Sequence, residues 1–221
     1  MSFHYDATSE FTENVSEVET LKELSLSDEK NRVLFLKLAT VSLVTKFHVF
    51  VENILREFKY QLNGVKSSKL SRHIKMNALR MSLEDGNVLT GLKKHKNFTE
   101  DKKNGVVEYL KSISFISNGN VIITDSFKFS TKFPLGKTGK QELIELLKQI
   151  DGDSDPFSEY NSEKFDFEKL DSILQERHQI IHQDRFSGTE NTLGENIEFI
   201  KDLVTYIDKY VYQKWVQISS D

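Results

Sequence analysis

At 221 residues, with 38% hydrophobic side chains and no cysteine, the chain is long enough for one well-buried domain and excludes disulfides, thiolate metal ligands and cysteine nucleophiles. Its formal charge of -4 conceals a basic stretch, residues 56–111, with thirteen Lys and Arg against six acids, and an acidic one, residues 151–171, with eight acids against Lys164 and Lys169. The opening residues, MSFHYDATSEFTENVSEVE, lack the basic start and apolar run of a secretory signal, so a cytoplasmic protein is expected.

From Thr12 to Leu26, Val15, Val18, Leu21 and Leu24 recur at helical spacing. Ser27 then offers an N-cap for a second helix running from about Asp28 to Leu62. Apolar residues surround nearly its whole circumference, as in a spine packed on several sides, and Asn63-Gly64 ends it. Lys37, Lys46 and His48 interrupt its apolar run, so no membrane span is expected. His48, Glu52 and Arg56 sit one turn apart on it, either reaching a shared cleft or pairing locally.

Lys66 to Met81 reads as a basic amphipathic helix, and Lys66, Lys69, Arg72, Lys75 and Arg80 are candidate contacts to a phosphate backbone, the other reading being a solvated face. Residues 84–103 are polar and irregular. Ser112 to Ser117 and Asn120 to Asp125 flank Asn118-Gly119, which predicts a β-hairpin, and Phe127, Phe129, Thr131 and Phe133 alternate as a third short strand does. Residues of about 84–135 therefore form an insertion within a single domain spanning 1–221.

Thr138 with Gln141 makes a capping-box pattern ahead of a helix carrying Leu143, Ile144, Leu146, Leu147 and Ile150. Gly136-Lys137-Thr138 is no P-loop, because Thr131 stands where the motif needs its first glycine. In the acidic loop that follows, Pro156 replaces the glycine of a calcium loop and Ser162 its closing glutamate.

Phe167 to Gln183 forms an amphipathic helix with Asp166 as N-cap. Leu170, Leu174, Arg177 and Ile181 fall within roughly 60° of one another, which sets a permanent cation in the apolar stripe. An unpaired buried charge costs several kcal/mol, at least about 3, so either an anionic ligand or a neighbouring helix's carboxylate should face Arg177. His178 and His182, at i and i+4, share one edge of this helix. A guanidinium forks onto phosphate and an imidazole titrates near neutral pH, so the three together suit phosphodiester chemistry. The histidines also have the spacing of two zinc ligands on a helix, but the glutamate of such motifs is absent between them, and no metal is expected. Thr192 and Glu195 form another capping box, and Leu193, Ile197, Ile200, Val204, Ile207 and Val211 seam a long last helix.

Arg177-His178-Gln179-Ile180-Ile181-His182, set in the penultimate helix, resembles the R-x4-H signature of the HEPN superfamily. His178 supplies the polar residue favoured after the arginine, and Ile180 and Ile181 the apolar residues before the histidine. The layout is most similar to the MAE-type and RiboL-PSP branches. The resemblance implies a mainly α fold, an antiparallel helical bundle carrying the small β-hairpin insertion. It further implies a metal-independent, cofactor-free endoribonuclease with Arg177, His182 and His178 as catalytic residues. RNA would be its substrate, and a homodimer would form a composite cleft. A toxin–antitoxin or phage-defence setting, with an antitoxin or defence protein as partner, is expected on the same ground. The alternative is a catalytically silent module of the same fold that binds RNA, nucleotide or a protein partner.

Overall fold

The computed structural model describes residues 4–84, 107, 110, 113–114, 117–125, 127–133, 139–151, 155–158 and 167–220. They form α1 (Asp6–Ser27), α2 (Arg32–Gln61), α3 (Arg72–Glu84), α4 (Gly139–Asp151), α5 (Phe167–Gln183) and α6 (Glu190–Ser219), with a 3-10 turn at Ser67–Lys69. The Thr138 and Asp166 caps, residues 85–106, and residues 152–154 and 159–161 of the acidic loop lie outside the described residues.

The mainly helical expectation holds, and α2 is the spine, with α1, α5 and α6 packed on it. Its Leu43, Phe47, Val51, Ile54, Leu55 and Phe58 are sealed from solvent, each such burial contributing about 1.5–3 kcal/mol. By length and composition α2 is apolar enough to cross a membrane; the core it forms accounts for that apolarity. The expected full encirclement is corrected: Val33, Leu34, Leu38 and Val49 are about half exposed, so one side is uncovered. Nor does Ser27 cap α2. It ends α1, its hydroxyl donating to Leu24 O, and the turn between the helices is made by Asp28, whose carboxylate accepts from the Asn31 amide and side chain.

α1 begins earlier than its apolar periodicity, because its first-turn amides find acceptors on other helices. Asp208 of α6 accepts from the His4 and Tyr5 amides and from the Thr8 hydroxyl, and Glu57 of α2 from the Asp6 and Ala7 amides. These carboxylates do the work of an N-cap and oppose the helix dipole.

The β-hairpin is not seen among the described residues. Residues 113, 114 and 117 are helical, and the second limb instead lies antiparallel to the chain leaving α2. Gly64 N donates to Ile123 O, Ile123 N to Val65 O, Ser67 N to Val121 O and Ser68 N to Gly119 O. This pairing holds Lys66 to Leu70 out of helix, which is why the basic helix starts only at Arg72. The expected third strand keeps its alternation, with Phe127, Phe129 and Phe133 buried, yet it has no strand partner among the described residues. The Gln149 side chain of α4 accepts from Ser130 N and donates to Ser130 O, and Glu52 of α2 accepts from Phe133 N. Glu52 also meets His48 Nε2 at 3.1 Å, while Arg56 donates to Asn53, so this triplet pairs locally.

α4 crosses α5 at Gly139, where a Cβ would come within 1.8 Å of Leu174 Cδ1, so a larger residue there would oblige the Leu174 side chain to move. Asp171 of α5 accepts from Lys140 N and caps the start of α4. In α6 the seam residues Leu193, Ile197, Ile200, Val204, Ile207 and Val211 are all buried, as their spacing predicts. Its cap, however, is Thr189, whose Oγ1 accepts from Thr192 N, rather than Thr192 itself.

Candidate functional site

The site is built where α5 leaves the core. Its first two turns bury Leu170, Ile173 and Leu174, and the same stripe then rises to the surface at Ile181, which is 45% exposed. Arg177 stands at the crossing, half-buried, and its Nε is closed off from solvent with no hydrogen-bond partner among the described residues. Nor does any described carboxylate pair with it, so of the two readings open from sequence the neighbouring-carboxylate one finds no support. A buried donor left unmade costs about 1–3 kcal/mol. An anionic acceptor arriving at Arg177 would recover it.

His178 and His182 lie one above the other, ring centroids 4.4 Å apart and planes at 47°, with His178 half-buried and His182 exposed. The two imidazoles therefore line one open edge beside the crossing. No group of three metal-ligating side chains converges among the described residues.

Beyond His182 the chain turns sharply. Asp184 takes a left-handed conformation at φ 53°, and Lys37 Nζ of α2 donates to its carbonyl O at 3.0 Å and to its Oδ1 at 2.6 Å. Residues 184–189, in neither helix nor strand, then fold back along α5, where the Gly188 N–H donates to Glu176. A Cβ at Gly188 would meet both Glu176 Oε1 and the Phe186 ring at 2.7 Å. Arg32, at the start of α2, closes the return with a forked contact to Glu190 that holds that carboxyl below the ordinary glutamate range.

Burial pushes the Glu176 carboxyl above its ordinary value, against the lowering effect of the Gly188 N–H. The folded protein thus holds this proton more tightly than the unfolded chain. The associated stability is complete below the ordinary glutamate pKa of about 4.3 and is lost as pH rises through the raised folded value. Glu176→Gln keeps an acceptor for Gly188 without the charge. It is expected to flatten the decline of the thermal midpoint above about pH 4.3, as read by calorimetry; an unchanged profile would show that this carboxylate ionises freely in the fold.

The basic residues named from sequence do not gather at this end of α5. Lys66 and Lys69 lie on the segment paired with residues 119–123, and Arg72, Lys75 and Arg80 on α3, which packs on α4. Arg80 lines a cleft of about 510 Å³ between α3 and α4 together with His73, Lys132 and Lys148. Lys132 and Lys148 carried no signal in the sequence, because nothing local indicates which helix will face them. Lys37 did leave one: it is a cation interrupting the apolar run of the spine.

A family model described as RiboL-PSP-HEPN matches residues 9–213, a span that includes the whole of α5 and most of α6 as well as the insertion. No curated protein and no solved structure matches the chain.

Proposed function

Because the chain belongs to the RiboL-PSP-HEPN family, we propose that it is a metal-independent endoribonuclease whose catalytic residues are Arg177, His178 and His182. The observation that carries this reading is the sheltered Nε of Arg177, without a partner among the described residues, beside a close, tilted pair of imidazoles on the same helix. His182, exposed to incoming substrate, takes the proton of a ribose 2′-hydroxyl, whose oxygen attacks the adjacent phosphorus. The P–O5′ bond breaks, leaving a 2′,3′-cyclic phosphate and a 5′-hydroxyl. Arg177 supplies donors to the phosphate oxygens as charge gathers on them. His178, or the same residue of a second subunit, protonates the leaving oxygen.

The second subunit is supported by the uncovered side of α2. Leu34 and Leu38, one turn apart, are about half exposed, as is Ile181 on α5, and α2 and α5 pack together. Two-fold packing of this surface removes its apolar area from water and brings two Arg177 side chains to one cleft. The Leu34→Glu, Leu38→Glu double variant is expected to sediment as a monomer and to lose most cleavage. A dimer that survives both glutamates would place the interface elsewhere.

The setting we propose is a toxin–antitoxin or phage-defence system, with an antitoxin or defence protein as further partner. The decisive experiment is incubation of the protein with labelled single-stranded RNA in EDTA, with product ends mapped and with an all-deoxy strand as control. Cutting of RNA alone, to cyclic phosphate ends, is the expected result. No cutting of varied RNAs by a folded dimer would favour the silent binding module of the same fold.

A further inference from the structure

His182 lies in the last turn of its helix, and helix ends fray because their final carbonyls have no partner within the helix. A catalytic group has to be held within about 0.5 Å of its working geometry. Something outside α5 must therefore fix this turn.

We propose that Lys37 is the positioning residue for His182, a role that rests on the ribonuclease reading. The ammonium donates both to the carbonyl O and to Oδ1 of Asp184, two residues past His182, and so ties down the backbone itself as well as a side chain. Asp184 is the only non-glycine residue with positive φ among the described residues, a conformation that aspartate tolerates better than most side chains but that is still disfavoured. The Arg185 N–H donates to Gln179 O across the same turn and completes its closure. The sheltering is unequal: the Lys37 side chain is 19% exposed and that of Asp184 91%. The clasp is thus anchored on the α2 side. Lys37 follows Leu36, which is buried in the core, so the turn carrying His182 takes its position from the spine helix α2.

Energetically the clasp is small. An ion pair this open on one side contributes little to stability. Its removal therefore frees the turn without unfolding the protein, which makes positioning separable from stability by experiment.

The test compares wild type, Lys37→Met and Lys37→Arg. In the free proteins, amide hydrogen exchange is followed along α5 and thermal midpoints are measured. On a cleavable RNA, single-turnover rates at saturation are measured alongside the RNA Kd. Lys37→Met is expected to speed exchange at residues 181–185 and leave it unchanged at residues 170–174. It should lower the saturated cleavage rate by about 10- to 10²-fold, the cost of a misplacement near 1 Å, with the Kd unchanged. Lys37→Arg, which keeps donors for both oxygens, should restore most of the rate. Unchanged exchange at 181–185, or an unchanged saturated rate, overturns the proposal. So does a loss confined to Kd, which would make Lys37 a phosphate contact instead. If wild type cuts no RNA, the ribonuclease reading fails first, a result distinct from active wild type with an equally active Lys37→Met.

Discussion

Arg177→Met is expected to slow RNA cleavage by about 10²- to 10³-fold and, in the same variant, to make the protein more stable. The two effects share one cause. Arg177 Nε is shut away from water without an acceptor, and an unsatisfied buried donor costs about 1–3 kcal/mol. A flexible apolar side chain of similar length continues the stripe of Leu170 and Leu174 and removes that cost. In the transition state the same guanidinium has its missing acceptor, and losing one such donor lowers a rate by about 10²- to 10³-fold. Denaturant unfolding and single-turnover cleavage on one preparation read both quantities. Arg177→Lys should recover part of the rate, since it restores charge but not the fork. If Arg177→Met were destabilised instead, the arginine would be a structural residue satisfied within the fold, and the site would lose its central argument.

The second large effect is expected at His182, this time with no change in stability. Alanine there should slow cleavage by about 10²- to 10⁴-fold, the range for loss of a general base. Because the side chain is exposed, stability should stay within about 0.5 kcal/mol of wild type. RNA affinity should persist, so the variant can be titrated with uncut substrate. Full activity in His182→Ala would transfer the base to His178, whose ring lies 4.4 Å away, or deny catalysis to this edge of the helix altogether.

The parts of this protein that were legible in its sequence are those encoded by spacing within one helix. The α6 seam is buried residue for residue, and Arg177 stood out because a cation in an apolar stripe breaks a pattern only 3.6 residues long. What failed depended on partners distant in the chain. Asn118-Gly119 is a good local signal for a hairpin, but the limb after it found the exposed backbone of residues 64–68 and paired there. The alternating phenylalanines suggested a third strand; they are buried, but the backbone between them is met by the side chain of Gln149 instead of another strand. The caps of α1 and α4 are carboxylates of Asp208, Glu57 and Asp171, each on a different helix from the one it caps. No N-cap rule reads such residues from local sequence. Lys37 was visible only as an interruption, and its use depends on where α5 happens to end.

The capping of α1 by Asp208 sets an order in time. The carboxylate that receives the His4 amide is separated from it by 204 residues, so on the ribosome the first helix is made long before the group that finishes its end. Contacts of such long range form late and slow folding. Until α6 emerges, the first turn of α1 has to satisfy its amides with water, and the flank of the spine that α6 will cover stays open. α5, with Arg177 and His182, is synthesised before α6 and so exists for a time on an unfinished scaffold. A chain cut short before residue 208 is accordingly expected to carry every residue of the R-x4-H motif and yet lack the architecture that holds them.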